Sequence, residues 1–280
     1  MTVSDFTLRN LFKVYGLAQR MGLMELNWFR ALFLRSYYFY KRTLEDPFRN
    51  FRSKRPELLQ AGHIFDVGSN VGYTAVTFAQ ALGPGFKVFS FEPEPQNVRM
   101  QKASLELYKV SAKVELIQAA VGAESGSVTL WHNQDHHADH RIVTKEFGKR
   151  INSSDETCSV PLISIDTFIE QRKIHGPIAF IKIDVQGYEL PVCYGMENAL
   201  RANPECVVAF EYCPPHMREL GYAQEELLEF FARRGYGLNV LNRQGNLQGC
   251  DNKSLAVALD KRGYVDLLAT PQAVKIQIAA

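Results

Sequence analysis

Cysteine is scarce in this 280-residue chain: Cys158, Cys193, Cys206, Cys213 and Cys250 are widely spaced, odd in number, and form no C-x-x-C pair. That pattern excludes a disulfide framework and a zinc knuckle and fits a reducing, cytoplasmic setting. Long apolar runs are missing too. No stretch reaches the eighteen or so uncharged apolar residues of a membrane-spanning helix, and the opening residues show no secretory pattern, so a soluble or peripheral protein is expected. Neither sign of charge dominates, since 32 Lys and Arg against 30 Asp and Glu leave +2. Without a basic excess on the body, nucleic acid is not an expected partner. The charge is nonetheless unevenly spread. Residues 1–60 hold eleven Lys or Arg against five Asp or Glu, a surplus of six, which leaves the rest at minus four. Two modules are expected: an amino-terminal appendage, 1–60, and a body, 61–280.

What the chain does contain is a pair of apolar strands that each end in acid and glycine: Ile64-Phe65-Asp66-Val67-Gly68-Ser69-Asn70-Val71-Gly72-Tyr73 and Phe180-Ile181-Lys182-Ile183-Asp184-Val185-Gln186-Gly187-Tyr188-Glu189. In the first, a glycine loop should open a helix, so that backbone amides approach a polar ligand closely. Asp66-x-Gly68-x-x-x-Gly72 puts an acid where the dinucleotide fingerprint has its first glycine, and a pyrophosphate would be repelled there. S-adenosyl-L-methionine carries an ammonium and a sulfonium and no phosphate, so charge complementarity favours it. About 20 residues after Gly72 comes Phe91-Glu92-Pro93, where a strand-ending carboxylate can accept both ribose hydroxyls. Asp184 ends a second buried strand, and ligands of open α/β sheets collect along that edge. Together these segments suggest a nucleoside-binding transferase.

At this point the chain resembles the FkbM family of S-adenosylmethionine-dependent methyltransferases. The likeness rests on Asp66-Val67-Gly68-x-Asn70-x-Gly72, Phe91-Glu92-Pro93-x-x-x-Asn97 and Lys182-Ile183-Asp184-Val185-x-Gly187-x-Glu189, and runs from roughly Ala61 to Glu211. The resemblance implies an α/β, Rossmann-like class I methyltransferase with a seven-stranded, mostly parallel sheet, here with an amino-terminal helical appendage. It also implies methyl transfer mostly to hydroxyls of sugars, glycolipids and secondary metabolites. The cofactor residues expected on that basis are Asp66, Gly68, Ser69, Asn70, Gly72, Tyr73, Glu92, Pro93, Asn97, Ala120 and Asp184. The family's last motif usually reads Asp-Val-Glu-Gly, whereas this chain has Gln186; an amide keeps hydrogen bonding but drops a charge.

Residue by residue, 63–67 and 87–91 read as strands and 72–82 and 95–109 as helices, the βαβ half of a doubly wound sheet. Lys113 to Ala120 and Ser127 to His132 read as strands joined by a hairpin turn at Gly122 and Gly126, with Ala119-Ala120-Val121 facing the adenine. Val160 to Ile165 reads as a strand leading to a helix capped at Asp166 or Thr167. A helix is expected from Glu189 through Leu200. Val207 to Glu211 ends another strand in an acid, so Asp184 and Glu211 should terminate neighbours. Tyr236 to Leu241, Asn252 to Leu259 and Tyr264 to Leu268 read as strands of an antiparallel edge. Residues 4–46 have helical spacing, and the basic, aromatic-rich run Trp28 to Tyr40 suits either a cap packed on the core, a homodimer contact, or a peripheral membrane or lipid-linked acceptor.

Four of the seven histidines fall in Trp131 to His140. With the aspartates there, His136 and His140 can be read as metal ligands, as a substrate-covering flap that supplies a base, or as merely solvated. Asp184 and Glu211 offer a second choice, holding a divalent cation or serving directly as the base. Catalytic candidates are therefore His136, His140, Glu211 and Asp184, with no metal ligand assigned. The expected reaction is in-line displacement onto an acceptor hydroxyl of a small molecule or glycan, in which positioning dominates. Two other readings share the same loop: an NAD-dependent oxidoreductase, and a cofactor-binding module without turnover.

Overall fold

The computed structural model describes residues 21–133, 140–152 and 154–272, with Ala18 and Val274. Twelve strands are present among them: β1 (His63–Val67), β2 (Val88–Phe91), β3 (Val114–Ile117), β4 (Ala120–Val121), β5 (Gly126–Trp131), β6 (Arg141–Ile142), β7 (Thr157–Ile163), β8 (Ile178–Ile183), β9 (Val207–Tyr212), β10 (Tyr236–Leu241), β11 (Leu247–Gly249) and β12 (Val265–Pro271). Eight form the main sheet in the order β11-β10-β12-β9-β8-β1-β2-β3. From β3 to β9 all pairings are parallel, and β12 runs antiparallel to both β9 and β10. This is the Rossmann-like methyltransferase order, with β11 added to the expected seven strands as a three-residue hairpin partner of β10. The central strands are buried throughout β1 and almost throughout β8, as parallel strands covered on both faces must be.

Two apolar layers sandwich the sheet. One contains Phe65, Phe91, Phe168, Ile181 and Phe210. The other joins Ile64, Phe78 and Phe180 to Phe33, Leu34, Tyr37, Tyr38, Phe48 and Phe51 of the amino-terminal helices. The Asn27–Tyr40 helix is thus fastened by aromatics: Tyr38 stacks on Tyr108 at 4.4 Å and meets Tyr73 edge-on at 5.0 Å. Such pairs add about 0.5–1.5 kcal/mol beyond the area they bury.

Several local expectations are corrected. Asn252–Arg262 is a helix, not a strand: Asp251 accepts from Ser254 N in a capping box, and Gly263, at φ 75°, closes its end. The supposed hairpin does not form. β3 joins the main sheet, while β4 and β5 both pair with β7 in a separate sheet of order β4-β7-β5-β6. The cap of the Ile165–Arg172 helix is Ser164, whose Oγ accepts from Thr167 N at 3.1 Å. Asp166 instead accepts from Asn198 N and Ala199 N at 3.0 and 2.8 Å, opening the Glu197–Ala202 helix. The helix from Glu189 ends at Tyr194, and Gly195 and Met196 separate it from that next one.

Candidate functional site

The parallel strands deliver their carboxyl ends to one edge, where a cavity of about 640 Å³ opens, within the usual size of small-molecule sites. Gly68, Ser69, Asn70, Tyr73, Glu92, Pro93, Asn97, Ala120 and Asp184 all reach its wall. Asp66 and Gly72 do not. Asp66 is completely buried in β1, with Thr74 Oγ1 donating to its Oδ2 at 2.7 Å and Lys182 Nζ 3.5 Å from its Oδ1. Its charge therefore acts through Lys182 rather than by facing a ligand. Gly72 caps the Tyr73–Ala81 helix at φ 87°.

The loop is held from below. A Cβ at Gly68 would lie 1.8 Å from Asp184 O, and Lys182 Nζ donates to Gly68 O at 2.9 Å, so β1 and β8 meet too closely for any side chain there. Ser69 donates its amide to Phe91 O, and its hydroxyl lies between Gln101 Oε1 and Phe91 O at 3.0 and 3.2 Å. Asn70, at φ 52°, donates its amide to Glu92 Oε2 at 2.8 Å. Glu92 Oε1 also accepts from Glu94 N at 3.0 Å and Asn97 Nδ2 at 3.3 Å. Asn97 thus positions Glu92. With one acceptor position left on Oε2, Glu92 can take one further donor rather than the two expected. Burial still lifts its carboxyl to about 7 despite these donors.

At the end of β8, Lys182 stands between two acids, 3.5 Å from both Asp66 Oδ1 and Asp184 Oδ2. Burial alone would lower the pKa of its ammonium, but Asp184 and Asp66 together more than offset that and hold it above its ordinary value. Gln186, left-handed at φ 56°, donates Nε2 to Asp184 Oδ1 at 3.0 Å. The Gln186 amide thus clamps Asp184 without the like-charge repulsion that a carboxylate there would bring. Glu189 Oε1 accepts from Val185 N and Gly187 N at 3.0 and 3.2 Å, fixing the loop between them.

As expected, β8 and β9 are neighbours, and Glu211 lines the same cavity. Directly across the antiparallel ladder from it lies Asp266, which also reaches the wall. Burial first, then Asp184, Asp266 and Glu189, push the Glu211 carboxyl well above the carboxylate range. Burial lifts Asp266 to about 7. The divalent-cation reading is not supported: among the described residues no group of three or more His, Cys, Asp or Glu could hold a metal ion. The Lys182 ammonium already supplies positive charge beside Asp184.

His136 lies outside the described residues. His140 lines the cavity, and its Nδ1 accepts from Asn133 N at 3.2 Å, which places the neutral ring's proton on Nε2. The apolar end of the cavity is built from Phe91, Ala119, Ala120, Val121, Leu130 and Ile142, joining the main sheet to the second one. The cavity wall also takes Tyr37, Tyr40 and Lys41 from the Asn27–Tyr40 helix and the turn that follows it, Arg243 from the turn between β10 and β11, and Lys261, Arg262 and Tyr264 from the end of the Asn252–Arg262 helix and the link to β12. Lys182, part of the family motif but given no role by it, and Asp266 join the site unforeseen, although each is a lone charge inside an apolar strand, the one signal that could expose them.

Hexuronic acid methyltransferase AglP of Haloferax volcanii is 26% identical over 140 residues, covering 50% of this chain and 52% of its own. The chain thus spans about half the length of that relative. Methyltransferase FkbM from Methylobacillus flagellatus superposes over 86% of this chain and 53% of its own, at 15% identity and a TM-score of 0.48. An O-methyltransferase from Bacillus cereus, solved in complex with SAH, does so over 80% of each chain at 12% identity and a TM-score of 0.45. No helix among the described residues is long and apolar enough to cross a membrane. Residues 66–238 match the methyltransferase FkbM domain, a span that begins at the Asp66 carboxylate and runs into β10, and the chain belongs to that family.

Proposed function

We propose that this methyltransferase uses S-adenosyl-L-methionine to methylate a hydroxyl of a sugar, free or in a glycolipid or secondary metabolite. The observation that carries the reading is one cavity joining a glycine loop, a ribose-type acid and two strand-end carboxylates. The residues fit the donor: Phe91, Ala120, Val121 and Leu130 offer an apolar slot for adenine, Glu92 Oε2 one acceptor for a ribose hydroxyl, and Asp184 a carboxylate for the ammonium. When bound, S-adenosyl-L-methionine supplies a methyl group on a positively charged sulfur, open to attack by an oxygen nucleophile.

The chain's own part is positioning and proton removal. Gln186 and Lys182 fix Asp184 from two sides. Strand spacing of about 4.8 Å puts β9 and β12 one and two strands beyond β8, away from Glu92. The acceptor therefore occupies that side, between Tyr37, Tyr40 and Tyr264. Glu211 takes the hydroxyl proton, because it lines the acceptor side of the cavity and burial together with Asp184 and Asp266 raises the affinity of its carboxyl for a proton. His140, whose Nδ1 accepts from Asn133 N, lines the same cavity and is the second candidate for the base. Arg243, Lys261 and Arg262 on the same side favour an acidic sugar, a preference supported by the hexuronic acid named for the Haloferax relative.

Calorimetric titration with S-adenosylhomocysteine and with NAD, followed by labelled methyl transfer to glucuronate and glucose glycosides, tests the reading. Binding of the first alone and label on a hydroxyl of the acidic sugar are expected. Tight uptake of NAD with no heat from S-adenosylhomocysteine would overturn it, and binding without transfer to any acceptor would favour a module without turnover.

A further inference from the structure

The Asn27–Tyr40 helix is apolar on two faces, and only one of them is covered. Phe33, Leu34, Tyr37, Tyr38 and Tyr40 are buried, while Trp28, Leu32 and Phe39 stand 66%, 55% and 70% exposed. Positions 28, 32, 35, 36 and 39 share one helical stripe, so exposed Arg35 and Ser36 lie in line with those three side chains. Met21 and Leu26, 63% and 44% exposed, precede the same helix. Five of the seven exposed large hydrophobics among the described residues therefore fall between positions 21 and 39. Three large apolar side chains so placed, with an arginine and a serine among them, form an exposed apolar patch of the kind that marks an interaction surface.

We propose that this stripe docks the protein on an anionic membrane surface. The charge distribution selects that occupant. Arg35 stands in the stripe, and residues 21–60 hold eight Lys or Arg against four Asp or Glu, so a two-fold contact of this face with its own copy would bring like charge towards like. An anionic leaflet offers the opposite sign, and a Trp-, Leu- and Phe-bearing helix face with an arginine in line is suited to the head-group boundary. The position is also productive. Tyr37, Tyr40 and Lys41 line the cavity from the far side of this helix, so about one helix diameter, ~10–12 Å, separates the bilayer plane from the acceptor side. Docking rests on the stripe alone; only its consequence, that the sugar is presented on a lipid, rests on the proposed function.

Co-sedimentation of the full chain with vesicles of phosphatidylcholine, plain or enriched in phosphatidylglycerol, tests this directly. The protein should pellet with the anionic vesicles and be released by high salt. The W28S/L32S/F39S variant should lose at least about tenfold in partitioning while binding S-adenosylhomocysteine as before. If that variant loses ligand binding as well, W131F protein decides, because Trp28 is then the only tryptophan. Its emission shifts to the blue with anionic vesicles if the proposal holds, and an unmoved spectrum overturns it. Failure of the natural protein to pellet at low salt, or a concentration-dependent dimer abolished by the triple variant, also overturns it.

Discussion

The two ends of the cavity are built on opposite principles. At the β1–β2 end nearly every polar group already has a partner: Ser69 on Phe91, Asn70 and Asn97 on Glu92, Thr74 on Asp66. At the β9–β12 end, Glu211 and Asp266 face each other across the ladder under mutual repulsion, and Arg243 and Lys261 make no ion pair among the described residues. A prearranged end suits a ligand that never changes. A frustrated end suits one whose arrival relieves the strain of unpaired charge.

The contrast can be broken first at its hinge. Lys182→Met leaves Asp66 and Asp184 without their shared cation, and since breaking a buried pair costs about 3–5 kcal/mol, urea denaturation should show a loss of that size. An unchanged midpoint would mean the pair is idle. Glu211→Gln should lower kcat about a hundredfold while S-adenosylhomocysteine affinity stays within about twofold, separating the ends functionally. If affinity falls equally, the division is wrong. Glu92→Ala should do the converse, weakening the nucleoside ligand at least tenfold, about 1.4 kcal/mol, in calorimetry on the folded fraction. Because Ala also orphans the donors on Asn70, Glu94 and Asn97, Glu92→Gln should recover much of the fold and little of the affinity.

A smaller effect concerns pH. Burial lifts Glu92, Glu189 and Asp266 to about 7 and Asp46 to about 6. Each then favours the folded state in its neutral form, a stabilisation complete below the ordinary carboxylate value near 4 and lost as pH rises through about 7. The melting temperature of ligand-free protein should fall between about pH 5 and pH 8; a rise over that window would contradict the burial argument. Smallest of all, Gln186→Glu should cut kcat/KM only a few-fold, as about 1 kcal/mol of lost clamping on Asp184 allows.

How much of this could be read from the chain depends on how local the determinant is. Gly68, Glu92 and Asp184 were legible because a strand, a turn and a residue type at fixed spacing define them. The family likeness tied them together. Glu211 followed from the same strand-end logic. Lys182 was not legible, because its meaning depends on Asp66 arriving from a strand more than a hundred positions away. The second sheet was missed for a similar reason: β5 pairs with β7 across the His132–His140 segment, whereas glycines at 122 and 126 advertise a hairpin. Asn252–Arg262 was misread although Asp251, Ser254 and Gly263 mark both its ends, since the apolar pattern between them was weighed without the caps.

Lys182 also bears on how fast the protein can work. With its ammonium 3.5 Å from both acids, the floor is partly neutralised before any donor arrives, so a carrier stripped of its positive sulfur forfeits little attraction on leaving its methyl behind. Departure of that by-product, rather than bond making, should then pace the cycle, and throughput would depend on whatever enzyme clears it. A burst in the first turnover and inhibition by S-adenosylhomocysteine at or below the donor's KM are the signs to look for; a linear onset with weak inhibition would show that the floor still discriminates.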